Sequence, residues 1–435
     1  MSLLSLSACL AILLLRVTSG YSFEFTLRRK PPGPEPVPRG QPHHIYKANV
    51  SADAAWTPCS PGQFPIGHWT SPADRATRTG SQLYGTVLAQ RFTWAHQHPQ
   101  NCSAAKFLLY HPHISGIGSL VHHMGQALSL AIQLNRTMVL APGPFHVVTY
   151  TATDRCGELA TLDQCYFEPL SSCTWRDALQ DTEEPRCIKS PTMIRDSSAR
   201  TVCFRGAFWA KDYSFQQVAP QFSALLRASP IRPELYYYWW RAQSAAYIVR
   251  PNAATRNEMA ARKRRMFGGE RIRPGTLSVH VRHGDKGEET ELVEDGVYLR
   301  VAQELRHAQG NLTLADTERP RQQIFLSTED PQTVAAFDAQ PEWDVQSVSL
   351  IRGVPADLTP LEQTPESIQT LMDPYEDMLN SLLSLDLALQ CDAFVGTLSS
   401  NWCRLIDELR STVRCKAHVP YMDAQQESPP YDVNW

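Results

Sequence analysis

The sequence has no surplus of positive charge and no long basic stripe. Its 41 lysines and arginines are outnumbered by 44 aspartates and glutamates, so the formal net charge is −3. A protein that binds free nucleic acid normally presents a basic patch along one face. The one compact basic run, at residues 262–265, is most simply explained as the solvated face or the C-terminal turn of a helix, with a partner site as the alternative. We therefore expect no nucleic-acid partner.

The sequence also lacks several motifs that would define a function class. No Cys-x-x-Cys pair occurs among its 11 cysteines, which excludes a zinc ribbon or a thioredoxin-like redox site. No internal repeat and no heptad run is present, which excludes a solenoid and a coiled coil. With 43% hydrophobic and 20% charged residues, the composition is that of a globular enzyme or binding protein.

No apolar run reaches the ~20 residues of a full membrane span. The stretch Leu3–Leu15 is uncharged and mostly apolar, and small residues follow it. We predict a signal peptide or short signal-anchor at 1–20, with a buried N-terminal helix as the alternative. A proline-rich stretch at 21–55 predicts an extended stem. A membrane anchor through the N-terminus is therefore one expected interaction.

The cysteines and sequons also indicate the secretory pathway. Ten cysteines remain beyond the leader, an even number that fits disulfides in an oxidising environment. Four N-x-S/T sequons occur, at Asn49, Asn101, Asn135 and Asn311. These features predict a disulfide-bonded glycoprotein of the secretory pathway, in the Golgi lumen or at the Golgi membrane.

The last third of the chain alternates between two kinds of pattern. Short apolar runs predict strands at 277–281, 324–327, 345–350 and 393–396. Periodic stretches predict helices at 297–308, 331–337, 373–389 and 400–409. Such alternation implies a parallel sheet with helices on both faces.

A second α/β part precedes it and is more irregular. Its clearest elements are a helix at 119–134, a buried strand at 137–140 and an aromatic helix at 233–250. We expect the aromatic side chains of the last helix to pack in the core rather than to form a ligand cage.

Polar residues follow three of the predicted strands. They are RHGDK at 282–286, TED at 328–330 and TLSS at 397–400. Ligands of parallel α/β sheets bind at the carboxyl ends of the strands, so these residues define a candidate site. Ser399 and Ser400 also open a helix, where hydroxyl and free N–H groups suit a phosphate; simple N-capping is the alternative.

These strand ends carry a family resemblance. The sequence SVHVRHGDK at 278–286 resembles the H-V-R-R-x-D-K motif of the α-1,6-fucosyltransferases, and four more motifs of that family follow its order. They are GIG at 116–118 with His122-His123, WW at 239–240 with YIVRP at 247–251, FLSTEDP at 325–331, and TLSS at 397–400 with Cys403-Arg404. The R-H-G of histidine phosphatases is a weaker match, because the position of that family's second arginine holds Lys286.

The resemblance implies a GT-B-like α/β fold with two Rossmann-like domains and the donor, GDP-fucose, in the C-terminal one. It also implies an inverting transfer without metal or other cofactor, which agrees with the absence of any Asp-x-Asp. We expect a cysteine-rich α/β and helical part at 56–270, the nucleotide-sugar domain at 271–415 and a tail at 416–435. The coiled coil and SH3-like domain of the family's animal members are not recognisable here.

Negative charge on the departing diphosphate requires a cation, and Arg282 can pair with a phosphate through two hydrogen bonds. A structural ion pair with Asp285 is the alternative. His280 matches a guanine-contacting histidine, although a histidine in a buried strand is more often a core residue. Strict counting places Ser384 at the family's guanine-reading aspartate, so Asp386 is the expected substitute. The complete set of predicted donor-binding residues is His280, Arg282, Asp285, Glu329, Asp330, Asp386, Ser399, Ser400, Gly116 and Gly118.

The catalytic base is predicted among three glutamates after Lys286, whose alternative role is to solvate a loop. Strict counting from the family's motif lands on Thr290, which cannot act as a base. One inserted residue would place Glu291 there, whereas Glu289 is nearer in raw spacing. The predicted catalytic residues are Glu291, Glu289, Lys286 and Arg282. The next candidates for the base are Glu329 and Asp330.

The expected acceptor is an N-glycan or glycoprotein, fucosylated through an α-1,6 linkage at its innermost GlcNAc. A non-catalytic glycan- or nucleotide-binding protein on the same fold is the alternative, because a fold alone does not prove activity. Intact Arg282 and Lys286 favour an enzyme.

Overall fold

The computed structural model describes residues 56–58, 81–112, 115–142, 153–157, 160–180, 187–188, 197–205, 218–267, 272–283, 292–309, 321–348, 374–417, 419 and 421–425. All of them belong to one compact unit, Pro42–Trp435. Several predictions from the sequence fall outside these residues. They are the leader at 1–20, the stem at 21–55, Asp285, Lys286, Glu289 and Glu291. Within the described part, no helix combines the length and hydropathy needed to cross a membrane.

The first half contains a small parallel sheet. Its central strand, β3 (Phe107–His111), lies between β4 (Thr137–Leu140) and β5 (Thr201–Arg205), and both neighbours run parallel to it. The run FLLYH is buried at every position, as expected for a strand covered on both faces. An antiparallel pair, β1 (Trp56–Pro58) and β2 (Ser81–Leu83), precedes it.

Eight helices accompany this sheet in the described residues. They are α1 (Thr86–Gln97), α2 (Ile117–Gln133), α3 (Thr153–Cys156), α4 (Leu162–Tyr166), α5 (Trp175–Leu179), α6 (Ser223–Arg227), α7 (Tyr236–Ile248) and α8 (Ala253–Phe267). A single 3-10 turn with proline at its start, Pro233–Leu235, leads into α7. The side chains of Trp239 and Trp240 in α7 are almost fully buried, which confirms that these aromatic residues pack in the core.

The second half is a five-stranded parallel sheet. Its strands are β6 (Leu277–His280), β7 (Gln322–Ser327), β8 (Trp343–Ser347), β9 (Ala393–Gly396) and β10 (Tyr421–Asp423). Their order is β10-β9-β6-β7-β8, and each neighbouring pair is parallel. The helices are α9 (Asp295–Gln309), α10 (Pro331–Asp338), α11 (Pro374–Gln390) and α12 (Asn401–Thr412). The chain moves outward from β6 to β8 and then returns to the other side of β6, so the strand order reverses between β6 and β9.

One apolar core joins the two halves. The largest cluster of buried side chains contains Leu108 of β3, Met124 of α2 and Trp240 of α7 together with Phe394 of β9 and Leu405 of α12. Helix α12 follows a strand of the second sheet but packs against α2 and α7 of the first half. The expected boundary near residue 270 is therefore crossed by helix packing.

The fold class predicted from the sequence is confirmed: the protein is α/β, with two parallel sheets as in a GT-B-like fold. The strands at 137–140 and 393–396 have the predicted bounds. The third strand of the second sheet lies at 343–347 rather than 345–350. Residues 421–423, which we placed in a tail, form β10 and pair with β9.

The basic run at 262–265 lies in the last turns of α8, which confirms the expectation of a C-terminal helix turn, although the run is not solvated at every position. Arg262 is largely buried and forms ion pairs with Glu258 and Glu376. The burial of Arg262 has a physical cause, because α8 packs along α11 and places this arginine at the contact.

The expectation of disulfides is confirmed, though not for every cysteine. Three described pairs occur, Cys102–Cys173, Cys156–Cys165 and Cys187–Cys203, and Cys415 is also disulfide-bonded. Cys391 and Cys403 are free and buried.

Candidate functional site

The reversal of strand order between β6 and β9 defines the site. Helices leave neighbouring strands toward opposite faces at such a point, which opens a crevice at the carboxyl ends. The residues that follow β6, beginning with Val281, and those that follow β9, beginning with Thr397, border this crevice. The residues after β7, the other neighbour of β6, form its second flank.

Arg282 is held at the end of β6 by its neighbours. Its Nη1 donates to the backbone carbonyl of His283, at 2.8 Å, and forms an ion pair with the carboxylate of Glu329 at the end of β7. The side chain of Arg282 is 17% exposed and that of Glu329 is 10% exposed. The observed partner is thus Glu329, whereas Asp285, the alternative from the sequence, lies outside the described residues. The structure brings together two of the predicted donor-binding residues.

His283 and Asp330 form a second pair across the same two strand ends. His283 Nδ1 lies 3.1 Å from Asp330 Oδ2, and His283 Nε2 lies 2.9 Å from the carbonyl oxygen of Val293. Burial alone would lower the pKa of His283, but this carbonyl and the carboxylates of Asp330 and Asp295 outweigh it and raise the pKa above its usual value.

Asp330 also has a structural duty. Its Oδ1 accepts a hydrogen bond from the backbone N–H of Gln332, at 2.9 Å, and so caps the N-terminus of α10. Burial raises the pKa of this carboxyl, but hydrogen bonds from His283, Gln332 and Thr333 lower it overall. Both carboxylate oxygens of Asp330 therefore already have partners within the protein.

The turn that opens α12 borders the crevice on the β9 side. Ser400 occupies the N-cap position, yet its side chain makes no capping hydrogen bond to the helix. The alternative role of simple N-capping is therefore wrong for Ser400. A helix of 12 residues without a side-chain cap presents backbone N–H groups and the positive end of its dipole, which together favour an anion. Ser399, just before it, is partly exposed.

Two further predicted residues occupy contrasting places. His280, the last residue of β6, is buried, and its ring centre lies 6.4 Å from that of Trp402 in α12. This places His280 beside the crevice. Asp386, in contrast, forms an ion pair with Arg414 and accepts from Gln390 Nε2 at 2.8 Å. Arg414 follows the C-terminal end of α12, toward the opposite edge of the sheet.

The structure thus does not bring Asp386 to the crevice. Ser384, the residue at the strict count, is the one that lies near a strand end, with its Oγ 2.9 Å from Ser327 Oγ of β7. Two residues correspond to about 200° around a helix, which turns Asp386 away from Ser384.

The glycines at 116–118 come from the first half and reach the same turn. A Cβ on Gly118 would lie 2.7 Å from the backbone carbon of Asn401 and 2.8 Å from the nitrogen of Trp402. Gly118 therefore allows α2 to approach the first turn of α12 closely. A Cβ on Gly116 would meet nothing within 4 Å. Only one of the two glycines is required for a close contact.

Sequence reasoning missed one polar cluster beside this turn. It consists of His122, Ser119, Arg241, Asn401 and Glu408, which come from α2, α7 and α12. The paired histidines were noticed, but the partners of His122 in α12 lie 279 and 286 residues away in the sequence. The available signal was Arg241, the one charged residue within the aromatic helix α7.

A cavity and a possible metal-binding group lie away from the crevice. A cavity of about 530 Å³ runs along β4 and is bordered by Trp94, Trp175 and Arg250, and none of the predicted donor-binding residues lines it. His111, Cys187 and Cys203 are close enough together to resemble a metal site among the described residues, but the two cysteines are bonded to each other.

Comparisons with known proteins agree with the motifs. The model of the family described as alpha-(1,6)-fucosyltransferase N- and catalytic domains matches residues 73–423. Among solved structures, the chain is similar to NodZ, a fucosyltransferase from Bradyrhizobium, with 16% identity over 70% of this chain and 92% of that chain and a TM-score of 0.38. It is also similar to FUT1 of Arabidopsis thaliana in complex with GDP, with 10% identity over 74% of this chain and 73% of that chain and a TM-score of 0.41. POFUT1 in complex with GDP is 10% identical, over 73% of this chain and 98% of that chain, with a TM-score of 0.36. No curated protein sequence matches the chain significantly.

Proposed function

The chain belongs to the α-(1,6)-fucosyltransferase family, and on that premise we propose that it transfers fucose from GDP-fucose to a hydroxyl group of a glycan. One observation carries this proposal: a guanidinium and an uncapped helix N-terminus border the same crevice of a parallel sheet. Both groups attract a diphosphate, and their positions suit the family's donor.

Arg282 is the residue we assign to the departing diphosphate. Negative charge builds on the β-phosphate as the bond to fucose breaks, and a planar guanidinium can neutralise it through two hydrogen bonds. In the structure the guanidinium of Arg282 forms an ion pair with the carboxylate of Glu329. A bound diphosphate therefore has to share Arg282 with Glu329 or displace it. With the helix N-terminus as the second positive group, we propose that transfer proceeds without a metal ion.

The transfer is proposed to be inverting, with a carboxylate as general base. The acceptor hydroxyl loses its proton as it attacks the anomeric carbon, and Glu291 or Glu289 is assigned to receive it, with Lys286 orienting the carboxylate. These three residues are assigned by the family motif, since they lie outside the described residues. The proposed acceptor is the innermost GlcNAc of an N-glycan, linked α-1,6.

We further propose that the folded part works in the lumen of the Golgi. The three disulfide pairs among the described residues support an oxidising compartment. The side chains of Asn101 and Asn135, the two described sequon asparagines, are exposed and so are accessible to the glycosylation machinery. A glycosidase-sensitive mass on protein expressed in animal cells is the expected result, and a cytosolic, unglycosylated product would contradict it.

Donor turnover tests the main proposal. The secreted protein is incubated with GDP-fucose and an N-glycan acceptor, with and without EDTA, and compared on a panel of other nucleotide sugars. We expect release of GDP and a fucosylated product from GDP-fucose alone, at the same rate with EDTA. Binding of GDP without turnover would instead identify a non-catalytic binding protein. The Gln variants of Glu289 and Glu291 then separate the two base candidates, because the true base loses transfer by about 10²–10⁴ while GDP binding persists.

A further inference from the structure

Three helices meet at a buried set of polar side chains. His122 of α2 lies at its centre, with Nδ1 2.9 Å from Asn401 Oδ1 and Nε2 2.9 Å from Glu408 Oε2. Asn401 and Glu408 are seven residues apart in α12, so they share one face of that helix. His122 thus spans two turns of α12 with a single side chain.

The charge of Glu408 is matched from a third helix. Arg241 Nε of α7 lies 3.0 Å from Glu408 Oε1, and the side chain of Glu408 is 0% exposed while that of Arg241 is 4% exposed. An ionised carboxylate at such a place is costly unless charged and hydrogen-bonding partners surround it. Glu408 therefore depends on both His122 and Arg241.

Asn401 is the point at which this set reaches the candidate site. It is the first residue of α12, directly after Ser400. Its Nδ2 donates to Ser119 Oγ of α2 at 2.6 Å, and its Oδ1 faces His122. The side chain of Asn401 is therefore held on both sides by α2, and it fixes the turn whose N–H groups border the crevice.

The backbone supports the same contact independently. Gly118, one residue before Ser119, approaches Asn401 so closely that a Cβ would overlap its carbonyl group at 2.7–2.8 Å. Such an approach leaves α12 little freedom to shift along α2. The first turn of α12 is therefore located by α2 through one backbone contact and two side-chain hydrogen bonds.

We propose that His122 is a positioning residue for the diphosphate site: by holding Asn401 it fixes the first turn of α12 where the donor's phosphates bind. The inference rests on the proposed function only for the identity of the ligand. The fixing of the turn is a property of the protein without ligand and can be measured separately. Glu408 and Arg241, on this account, orient His122 and contact no substrate.

Two substitutions of His122 separate its two hydrogen bonds. An asparagine amide reproduces the position of Nδ1, so His122→Asn keeps the bond to Asn401 and loses that to Glu408. A glutamine amide reproduces the position of Nε2, so His122→Gln keeps the bond to Glu408 and loses that to Asn401. The pair is matched in polarity and charge. Each variant is examined by thermal unfolding, by hydrogen exchange of peptides covering residues 397–402, and by calorimetric titration with GDP.

We expect opposite orders for stability and for binding. His122→Asn should unfold at the lower temperature, because Glu408 loses a partner in a buried place. His122→Gln should keep most of the stability but exchange faster at 397–402 and bind GDP about tenfold more weakly, the usual cost of one buried hydrogen bond to the ordered turn. A purely structural histidine predicts the reverse, with the less stable variant also the weaker binder.

The outcomes distinguish the two proposals. Faster exchange at 397–402 in His122→Gln but not in His122→Asn supports the positioning role, even if the wild type fails to bind GDP and the proposed function falls. Unchanged exchange in His122→Gln, or GDP affinities that follow thermal stability, overturns the positioning role while leaving the proposed function intact.

Discussion

The two sheets of this protein are stabilised in different ways. The three-stranded sheet is small, and disulfides close the loops around it: Cys102–Cys173 near the start of β3 and Cys187–Cys203 at β5. In the half that holds the five-stranded sheet, Cys391 and Cys403 are free and buried, whereas Cys415 is disulfide-bonded. A larger parallel sheet covered by helices buries more apolar surface and depends less on such closures.

The two halves also differ in whether their characteristic interactions mainly stabilise the fold or border the candidate site. The carboxyl ends of β6 and β7 carry two ion pairs, Arg282 with Glu329 and His283 with Asp330, and such partly buried charges add little net stability. In the first half, the disulfides act instead on the unfolded chain. Removing a disulfide should therefore change mainly the stability of the first half. Substituting a polar residue at a strand end should change mainly the function of the second.

The largest effect is expected from the longest described disulfide. Replacing both Cys102 and Cys173 by serine removes a closure of 71 residues, which costs about 4 kcal/mol of unfolding free energy in the chain-entropy estimate. The matched pair Cys156→Ser and Cys165→Ser opens a loop of only 9 residues and should cost about 2.5 kcal/mol. Denaturant unfolding measures both.

The affinity for GDP of the folded fraction should be unchanged in both double variants, because neither bond touches the five-stranded sheet. Equal losses for the long and the short loop would show that strain or packing, and not loop closure, sets the contribution of these disulfides.

Arg282→Lys should have the opposite effect, lowering the rate of transfer while leaving the stability almost unchanged. The substitution keeps the charge but loses the planar pair of donors, and the loss of one preorganised stabiliser typically lowers the rate about 10²–10³-fold. Stability should change little. Arg273→Lys is the matched control, since Arg273 forms an exposed ion pair with Asp344 near the amino edge of the same sheet. Transfer by Arg282→Lys within threefold of the wild type would remove Arg282 from the diphosphate site.

The contact between the two halves is tested by a pair of glycines. Gly118→Ala places a methyl group 2.7 Å from the backbone of Asn401, and a backbone contact cannot be relieved by rotating a side chain. We expect a loss of about 1–3 kcal/mol of unfolding free energy and weaker GDP binding. Gly116→Ala meets nothing within 4 Å and should resemble the wild type in both measurements. If the two alanine variants behave alike, α2 does not locate the first turn of α12.

Four strands of the second sheet could be predicted from the sequence because their signals are local, whereas the residues of β10 were placed in a tail. Strand 393–396 is an apolar run bounded by polar residues, and helix α10 begins at the Asp330-Pro331 pair, a capping residue followed by proline. The strand-end residues Arg282 and Glu329 followed from topology alone, because parallel strands end at one edge.

The features that escaped prediction depend on distant partners. Strand β5 at 201–205 has a short mixed pattern and is stabilised by pairing with β3. Asp386 was assigned to the donor from its spacing, yet Arg414, 28 residues later, turns its carboxylate away from the crevice. The link between His122 and Glu408 spans 286 residues, so no periodicity could reveal it.

The smallest effect we predict is a pH dependence of the five-stranded sheet alone. The folded pKa of His283 is raised, so its pairing stabilises the protein fully below the unfolded value near 6.5 and is lost as pH rises through the folded pKa. The folded pKa of Asp330 is lowered, so its pairing is present above the unfolded value near 3.8 and is lost as pH falls through the folded pKa. The pair therefore contributes most between about pH 4 and 6.5.

Asp330→Asn removes the charge but keeps a good N-cap for α10. The wild type should exceed this variant in unfolding free energy by up to about 1 kcal/mol at pH 5, and the excess should shrink by pH 8.5. Asp338→Asn, at the other end of α10, is the charge-matched control and should show a difference that is constant over this range. An excess for Asp330 that stays constant or grows toward pH 8.5 would mean that His283 is not its charged partner.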